Sequence, residues 1–251
     1  MWNTVLFDLD GTLTDSGPGI MRSVKYALEK GFGICVGDEK ELASFVGPPL
    51  KEQFEEYAGL GEEEAEKAVC IYRERYTQIG IFENEVYEGI PELLRRLKEA
   101  GMTLAVSSSK PTVFCVRILE YFKISEYFDV ICGSELDGAR TLKSDVVKEV
   151  LRLLGKEQSR SEVVLVGDRK YDVSGAKEMG IGSIGVAYGY GGRTELENEK
   201  PDAVCDTVRE LQDVLLGQKK EVPADNGQKN KCETPASDHE KTVKKNTKAP
   251  V

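Results

Sequence analysis

Two aspartates close an apolar run near the N-terminus, in the segment Val5-Leu6-Phe7-Asp8-Leu9-Asp10-Gly11-Thr12-Leu13-Thr14-Asp15-Ser16. In an extended strand alternate side chains share a side, so Asp8 and Asp10 point the same way, and Gly11 lets the chain turn sharply after them. Neighbouring carboxylates repel, and such a pair persists where a metal ion or a reaction uses it. A second acidic pair follows another apolar run, Val163-Val164-Leu165-Val166-Gly167, with Asp168 at its end and Asp172 one helical turn further on. His239 is the single histidine, and the six cysteines, at 35, 70, 115, 132, 205 and 232, contain no CxxC pair. The usual zinc patterns are excluded, and a disulfide framework is disfavoured. Catalysis in this chain must run on carboxylates, lysines and hydroxyls.

The elements that would position these groups alternate short apolar runs with amphipathic stretches, the pattern of βαβ units around a parallel sheet. Strands are expected at Thr4 to Leu9, Thr103 to Ser107, Val130 to Cys132, Val163 to Val166, Gly182 to Val186 and Ala203 to Cys205. Helices are expected at Pro91 to Ala100, Pro111 to Tyr121, Lys143 to Leu154, Tyr171 to Met179 and Val208 to Leu216, with Gly101, Gly155 and Gly180 ending three of them as left-handed caps. In such open α/β sheets ligands bind beyond the carboxyl ends of the strands, where Asp8, Asp10 and Asp168 fall. About ninety residues between the first and second strands show no convincing strand and read as helices near Pro18 to Lys30, Glu39 to Ala43, Leu50 to Tyr57 and Glu62 to Ile79. A crossover needs far fewer residues, so an inserted helical cap is the economical explanation. The fold class is therefore α/β, a doubly wound and mainly parallel sheet, with residues 1–15 and 87–217 as the core and 16–86 as a helical-bundle cap.

Composition narrows the partners. The chain of 251 residues carries 44 acidic and 34 basic side chains, a net charge of −10 that repels a nucleic acid backbone. Residues 218–251 hold eight lysines, five acids and only valine and alanine as aliphatics, so this tail is expected to be disordered. No apolar run approaches the roughly 20 residues of a membrane span, and the N-terminal run is too short for a signal peptide. The expected location is the cytoplasm, without membrane partners.

The strand end Asp8-Leu9-Asp10-Gly11-Thr12 resembles the first motif of the haloacid dehalogenase superfamily, and three further pieces follow in that family's order. They are Ser107-Ser108-Ser109-Lys110-Pro111, Lys143 at the start of a helix, and Gly167-Asp168-Arg169-Lys170-Tyr171-Asp172; together the resemblance covers Thr4 to Leu216. It implies phosphoryl transfer. Asp8 would be the nucleophile, Asp10 the acid and base, and Ser108 and Lys143 the ligands of the substrate phosphate. Mg²⁺ would be held by Asp8, Asp168 and the backbone carbonyl of Asp10, with Asp172 orienting a metal-bound water or Lys143. Ser107 remains an alternative to Ser108, and Ser109 or Lys110 could simply cap the helix that follows.

The second acid, Asp10, points to phosphate esters, because a halide leaving group needs no proton. The position of the insertion matches the C1-type helical cap. Phe45-Val46-Gly47-Pro48-Pro49-Leu50-Lys51 resembles the cap loop that dips toward the active site, which makes Lys51 a candidate for substrate selection against an ordinary solvated lysine. Phe82-Glu83-Asn84, Leu136 to Thr141, the Arg-Lys-Tyr inside the fourth motif and Tyr188-Gly189-Tyr190-Gly191 resemble the 5′-nucleotidase-like branch near phosphoglycolate phosphatase. Arg140 and Arg169 would add cations at the rim. The resemblance thus implies a Mg²⁺-dependent phosphomonoesterase, monomeric or homodimeric, acting on a small phosphorylated metabolite. A 5′-nucleotidase-like activity leads, with phosphoglycolate phosphatase and a β-phosphoglucomutase-type phosphomutase behind it.

Overall fold

The structure is a computed structural model and describes residues 2–137 and 140–217. The expected disordered tail, 218–251, lies outside the described residues. In chain order the elements are β1 (Thr4–Phe7), β2 (Thr14–Asp15), α1 (Gly17–Phe32), α2 (Leu50–Ala58), α3 (Glu62–Tyr76), β3 (Glu85–Val86), α4 (Ile90–Glu99), β4 (Thr103–Pro111), α5 (Thr112–Tyr121), β5 (Val130–Ser134), α6 (Lys143–Leu154), β6 (Val163–Gly167), α7 (Lys170–Glu178), β7 (Gly182–Val186), α8 (Gly192–Asn198), β8 (Ala203–Cys205) and α9 (Val208–Leu215). None of the described helices is long and apolar enough to cross a membrane.

Six strands form one parallel sheet in the order β5-β4-β1-β6-β7-β8. Its continuous apolar runs follow from burial on both faces. Val5, Phe7, Leu104, Val106, Val164 and Val166 face a core that includes α4, α5 and the helices inserted after β1, whereas Leu6, Ala105, Val163 and Leu165 turn to the opposite face against Val146, Val147 and Val150 of α6. That division is the period-2 alternation of strands, and each large side chain it buries contributes about 1.5–3 kcal/mol. The chain leaves β1 for β4 and β5 on one side, then returns to β6 on the other. The carboxyl end of β1 is therefore the switch point at which a crevice opens.

Between β1 and β4 the insertion is helical, as expected, but it is bounded by strands too short to leave a periodic signal. β2 and β3 pair antiparallel through Thr14 with Val86 and Asp15 with Glu85, where the chain departs for the inserted helices and comes back. Within the insertion, the apolar face of α1 (Ile20, Val24, Ala27, Leu28) shares one core with Ala65, Ala68, Ile71, Tyr72 and Tyr76 of α3. Phe45 stacks edge-on to Phe54, 5.0 Å between ring centres, and fixes the loop that leads into α2. The expected left-handed glycines are found at Gly101, Gly155 and Gly180. The helix α8 had no counterpart in the sequence reading; only Leu196 of its seven residues is buried, too little for an amphipathic stripe.

Candidate active site

Asp8 lies one residue beyond β1, and its backbone N–H still donates to Val166 O at 2.9 Å, so the sheet itself fixes the carboxylate. Lys143 opens α6, where it opposes the helix dipole; its ammonium is held by anionic neighbours instead. Its Nζ lies 2.9 Å from Asp8 Oδ1, 2.8 Å from Asp172 Oδ1 and 3.0 Å from the Ser107 carbonyl oxygen. Burial opposes that charge, but Asp172 and Asp8 outweigh it and hold the ammonium above the usual lysine range. Asp172, in the first turn of α7, also accepts the Arg169 N–H at 3.0 Å. Burial pushes its carboxyl up to about 6 against the pull of Lys143.

Asp168 is the carboxylate without a cation. It is fully buried, accepts from Thr12 Oγ1 at 3.2 Å and from the Tyr190 N–H at 2.7 Å, and has no lysine or arginine at ion-pair distance among the described residues. Burial, then Asp172 and Asp8, raise its carboxyl well above the ordinary range. The backbone packs tightly around it. A Cβ on Gly11 (φ +81°) would stand 2.2 Å from Asp168 Oδ2, and one on Gly189 would stand 2.3 Å from both Asp168 Cβ and the Gly11 carbonyl. Asp8, Asp168 and Asp172 each offer an oxygen within 4.8 Å of the others. Three buried carboxylates with a single ammonium among them offer hard oxygens and an excess of negative charge, which fit a small divalent cation.

The charge on Asp168 gives a test that needs no substrate. Because its folded-state pKa is raised, the native state binds more protons than the unfolded chain, and stability falls as pH rises above the ordinary aspartate range. Asp168→Asn is expected to raise the melting temperature of metal-free protein at pH 7 by several degrees, from about 1–3 kcal/mol of relieved burial. Added Mg²⁺ should stabilise the parent and barely move the variant. A metal-free variant that melts below the parent would show that Asp168 carries no such penalty.

Asp10 stands apart from this cluster. Its side chain is nearly buried, with Oδ2 2.8 Å from Lys110 Nζ and Oδ1 buried without a hydrogen-bond partner. The Lys110 ammonium lies 4.9 Å from the ring centre of Tyr76, at the end of α3. Burial opposes the Lys110 charge, but Asp10 and the tyrosines of α3 keep it well above the usual lysine range. Sequence reasoning gave Lys110 no part beyond a helix cap. The available signal was its spacing, two residues beyond Ser108 at the end of β4. Ser108 Oγ accepts the Lys110 N–H at 3.3 Å, while Ser107 Oγ is buried without a partner.

A cleft of about 660 Å³ opens from Asp10 and Lys110 toward α2 and α3. Its walls include Phe45, Tyr72, Tyr76 and Phe114, together with Ser109 and Pro49. Lys51 lines the same cleft, but its ammonium lies 2.8 Å from Glu62 and 2.9 Å from Glu66, both on α3. The loop after β7 braces the segment that follows β1. Tyr188 donates to the Thr12 carbonyl at 2.9 Å, and the Tyr190 hydroxyl donates to Asp15 while accepting the Gly17 N–H at 2.9 Å.

Residues 5–186 match the family of haloacid dehalogenase-like hydrolases. A 5′-nucleotidase from Pseudomonas aeruginosa is 43% identical over 211 residues, 84% of this chain and 94% of that protein. The tyrosine-protein kinase PtkA of Mycobacterium tuberculosis is 40% identical over 213 residues, 84% of this chain and 72% of that one. A crystal structure of a predicted phosphatase from Clostridium acetobutylicum superposes with a TM-score of 0.83 at 47% identity, covering 86% of this chain and 99% of that one. Likeness at this level spans the strand ends that carry the carboxylates as well as the inserted helices, and it places the chain in the haloacid dehalogenase-like hydrolase family, as an enzyme of its phosphatase group.

Proposed function

We propose that the chain is a Mg²⁺-dependent phosphomonoesterase whose preferred substrates are nucleoside 5′-monophosphates. The observation that carries the substrate class is the cleft beside Asp10: its volume and four aromatic walls suit a nucleoside, whereas a glycolate group would leave most of it empty. Residues 16–86 serve as the cap that supplies three of those aromatic walls, Phe45, Tyr72 and Tyr76, while Phe114 of α5 supplies the fourth from the core.

In this reading Asp8 attacks phosphorus in line, and Lys143, 2.9 Å from Asp8, offsets the charge of the incoming phosphate. Asp8, Asp168 and the backbone carbonyl of Asp10 would hold Mg²⁺, which supplies electrostatic stabilisation of the transferring group. Asp172 positions Lys143 through their 2.8 Å ion pair. Ser108 binds the phosphate at the end of β4. Asp10 protonates the departing alkoxide and then takes a proton from the water that hydrolyses the aspartyl phosphate.

The test is a panel of phosphate esters with Mg²⁺, ranked by kcat/KM: nucleoside 5′-monophosphates, 2-phosphoglycolate, p-nitrophenyl phosphate, and β-glucose 1-phosphate with a bisphosphorylated hexose. Nucleotides should lead. Phosphoglycolate in first place would overturn the nucleotide preference, and isomerisation without phosphate release would overturn hydrolysis. ATP with a tyrosine peptide completes the panel, since phosphotyrosine formed faster than free phosphate would make water the wrong acceptor.

Lys51 was a candidate for selecting the substrate, and its two glutamates alter what its removal should do. An anion must compete with Glu62 and Glu66 for the ammonium, and solvent screens such exposed pairs so that each contributes little. Lys51→Ala is therefore expected to change kcat/KM by less than about fivefold, on nucleotides and on p-nitrophenyl phosphate alike. A loss of tenfold or more confined to nucleotides would show that Lys51 leaves its glutamates for the substrate.

A further inference from the structure

The proposed mechanism leaves two charged residues of the Gly167–Asp172 segment, Arg169 and Lys170, without a task, and of these the Arg169 side chain is the more deeply packed. Arg169 follows Asp168 directly, yet its side chain turns away from the carboxylate cluster toward the inserted helices. Its Nε donates to Glu195 Oε1 of α8 at 3.0 Å, and its Nη1 donates to the Val46 carbonyl at 2.5 Å. Only 13% of the side chain is exposed. Val46 belongs to the loop between Phe45 and Leu50, and Phe45, Gly47, Pro48, Pro49 and Leu50 all line the cleft.

Both sides of this contact are shaped for it. Gly47 has φ +106°, which strains any residue with a side chain, and a Cβ there would come 3.2 Å from Arg169 Cγ and crowd the arginine stem that the loop lies against. Glu195 Oε1 also accepts the Lys170 N–H at 2.8 Å, which ties the anchor to the start of α7. The two partners of the guanidinium differ in kind. The carboxylate gives a charge-assisted bond that holds the arginine to the core whether or not the loop is present. The Val46 carbonyl is neutral and can exchange this bond for water at small cost, so it is the contact that breaks when the loop lifts.

We propose that Arg169 is a positioning residue that latches the Val46–Pro49 loop over the cleft and so favours substrates whose leaving group fills it. The selectivity part rests on the phosphatase reading above; the latch itself does not. An arginine is needed because its fork reaches two acceptors in fixed directions at once. A lysine at this position would serve either Glu195 or the Val46 carbonyl, but not both with the same geometry.

The experiment pairs peptide-level hydrogen exchange over residues 42–51 of the full chain, without substrate, with steady-state kinetics of Arg169→Met and Arg169→Lys. In Arg169→Met the 42–51 segment should exchange about tenfold faster while β6 keeps its protection, and Arg169→Lys should lie between it and the parent. KM for a nucleoside 5′-monophosphate should rise about tenfold, with kcat on p-nitrophenyl phosphate within about twofold of the parent. Glu195→Gln keeps an acceptor for Arg169 without its charge; it should shift exchange in the same direction by about threefold, and it supplies the measurement if Arg169→Met does not fold. Unchanged exchange at 42–51 in the variants overturns the latch. Faster exchange with equal losses on both substrates overturns the selectivity role and leaves a purely structural bond. An inactive parent would sink the phosphatase reading while the exchange data still decided the latch.

Discussion

Asp8→Asn is expected to lower kcat on every phosphate ester by roughly 10⁴-fold or more, the scale of loss when a covalent nucleophile is removed. An amide oxygen attacks phosphorus poorly, and the variant also gives up one charged oxygen of the Asp8, Asp168, Asp172 group. The fold should survive. Asparagine matches the shape of aspartate, its carbonyl oxygen can accept the same 2.9 Å bond from Lys143, and the strand-extending bond from residue 8 to Val166 is made by the backbone. Circular dichroism and the melting temperature should stay near those of the parent, and mass spectrometry of rapidly quenched reactions should lose any phosphorylated enzyme. A variant within tenfold of the parent would remove Asp8 as the nucleophile.

Neutralising a buried carboxylate relieves the metal-free protein most where no cation already offsets its charge. Lys143 lies 2.9 Å from Asp8 and 2.8 Å from Asp172, which leaves Asp168 as the burdened carboxylate. For that reason the stabilising substitution is placed at Asp168. Spacing alone could not separate three aspartates; the separation depends on where α6 delivers one ammonium.

How much of the molecule could be read in advance follows the range of the interactions involved. The central sheet strands were legible because burial on both faces gives them near-continuous apolar runs, as in Thr4–Phe7 and Val163–Gly167. Helix α6 falls at Lys143–Leu154, as its apolar spacing and Gly155 indicate. The ribbon of β2 and β3 was missed because a ladder two residues long has no periodicity to detect. The contacts of Lys110 with Asp10, Lys51 with Glu62 and Glu66, and Arg169 with the Val46 carbonyl were hidden for another reason. They join segments that are 100, 11 to 15 and 123 residues apart in the chain, brought together by the pairing of β1 with β4, by the packing of α2 on α3 and by the seating of the Val46 loop against α7, respectively. Charged residues in a motif announce a site, but the partner each one takes is a property of the tertiary fold.

Asp10→Asn is expected to separate substrates by their leaving groups. A ribose 5′-alkoxide is a strong base and needs a proton as the P–O bond breaks, so loss of the acid should lower kcat/KM for nucleoside monophosphates by about 10²–10⁴-fold. A nitrophenolate leaves without help, and its kcat/KM, which reports formation of the aspartyl phosphate, should fall by less than about tenfold. Lys110 sharpens the comparison. Its ammonium lies 2.8 Å from Asp10 Oδ2, and asparagine can offer it the same carbonyl oxygen, so the variant removes the transferable proton while keeping the contact that holds residue 10 in place. The same aspartate is the proposed base for the second half of the reaction, which predicts a further sign. Hydrolysis of the aspartyl phosphate should become rate-limiting, and p-nitrophenyl phosphate should release a burst of nitrophenolate close to one equivalent per enzyme before a slow steady rate. Equal losses in kcat/KM on both classes of substrate, or a nitrophenyl reaction without a burst, would count against proton transfer by Asp10. The residue would then serve the site through its backbone carbonyl and its pairing with Lys110 alone.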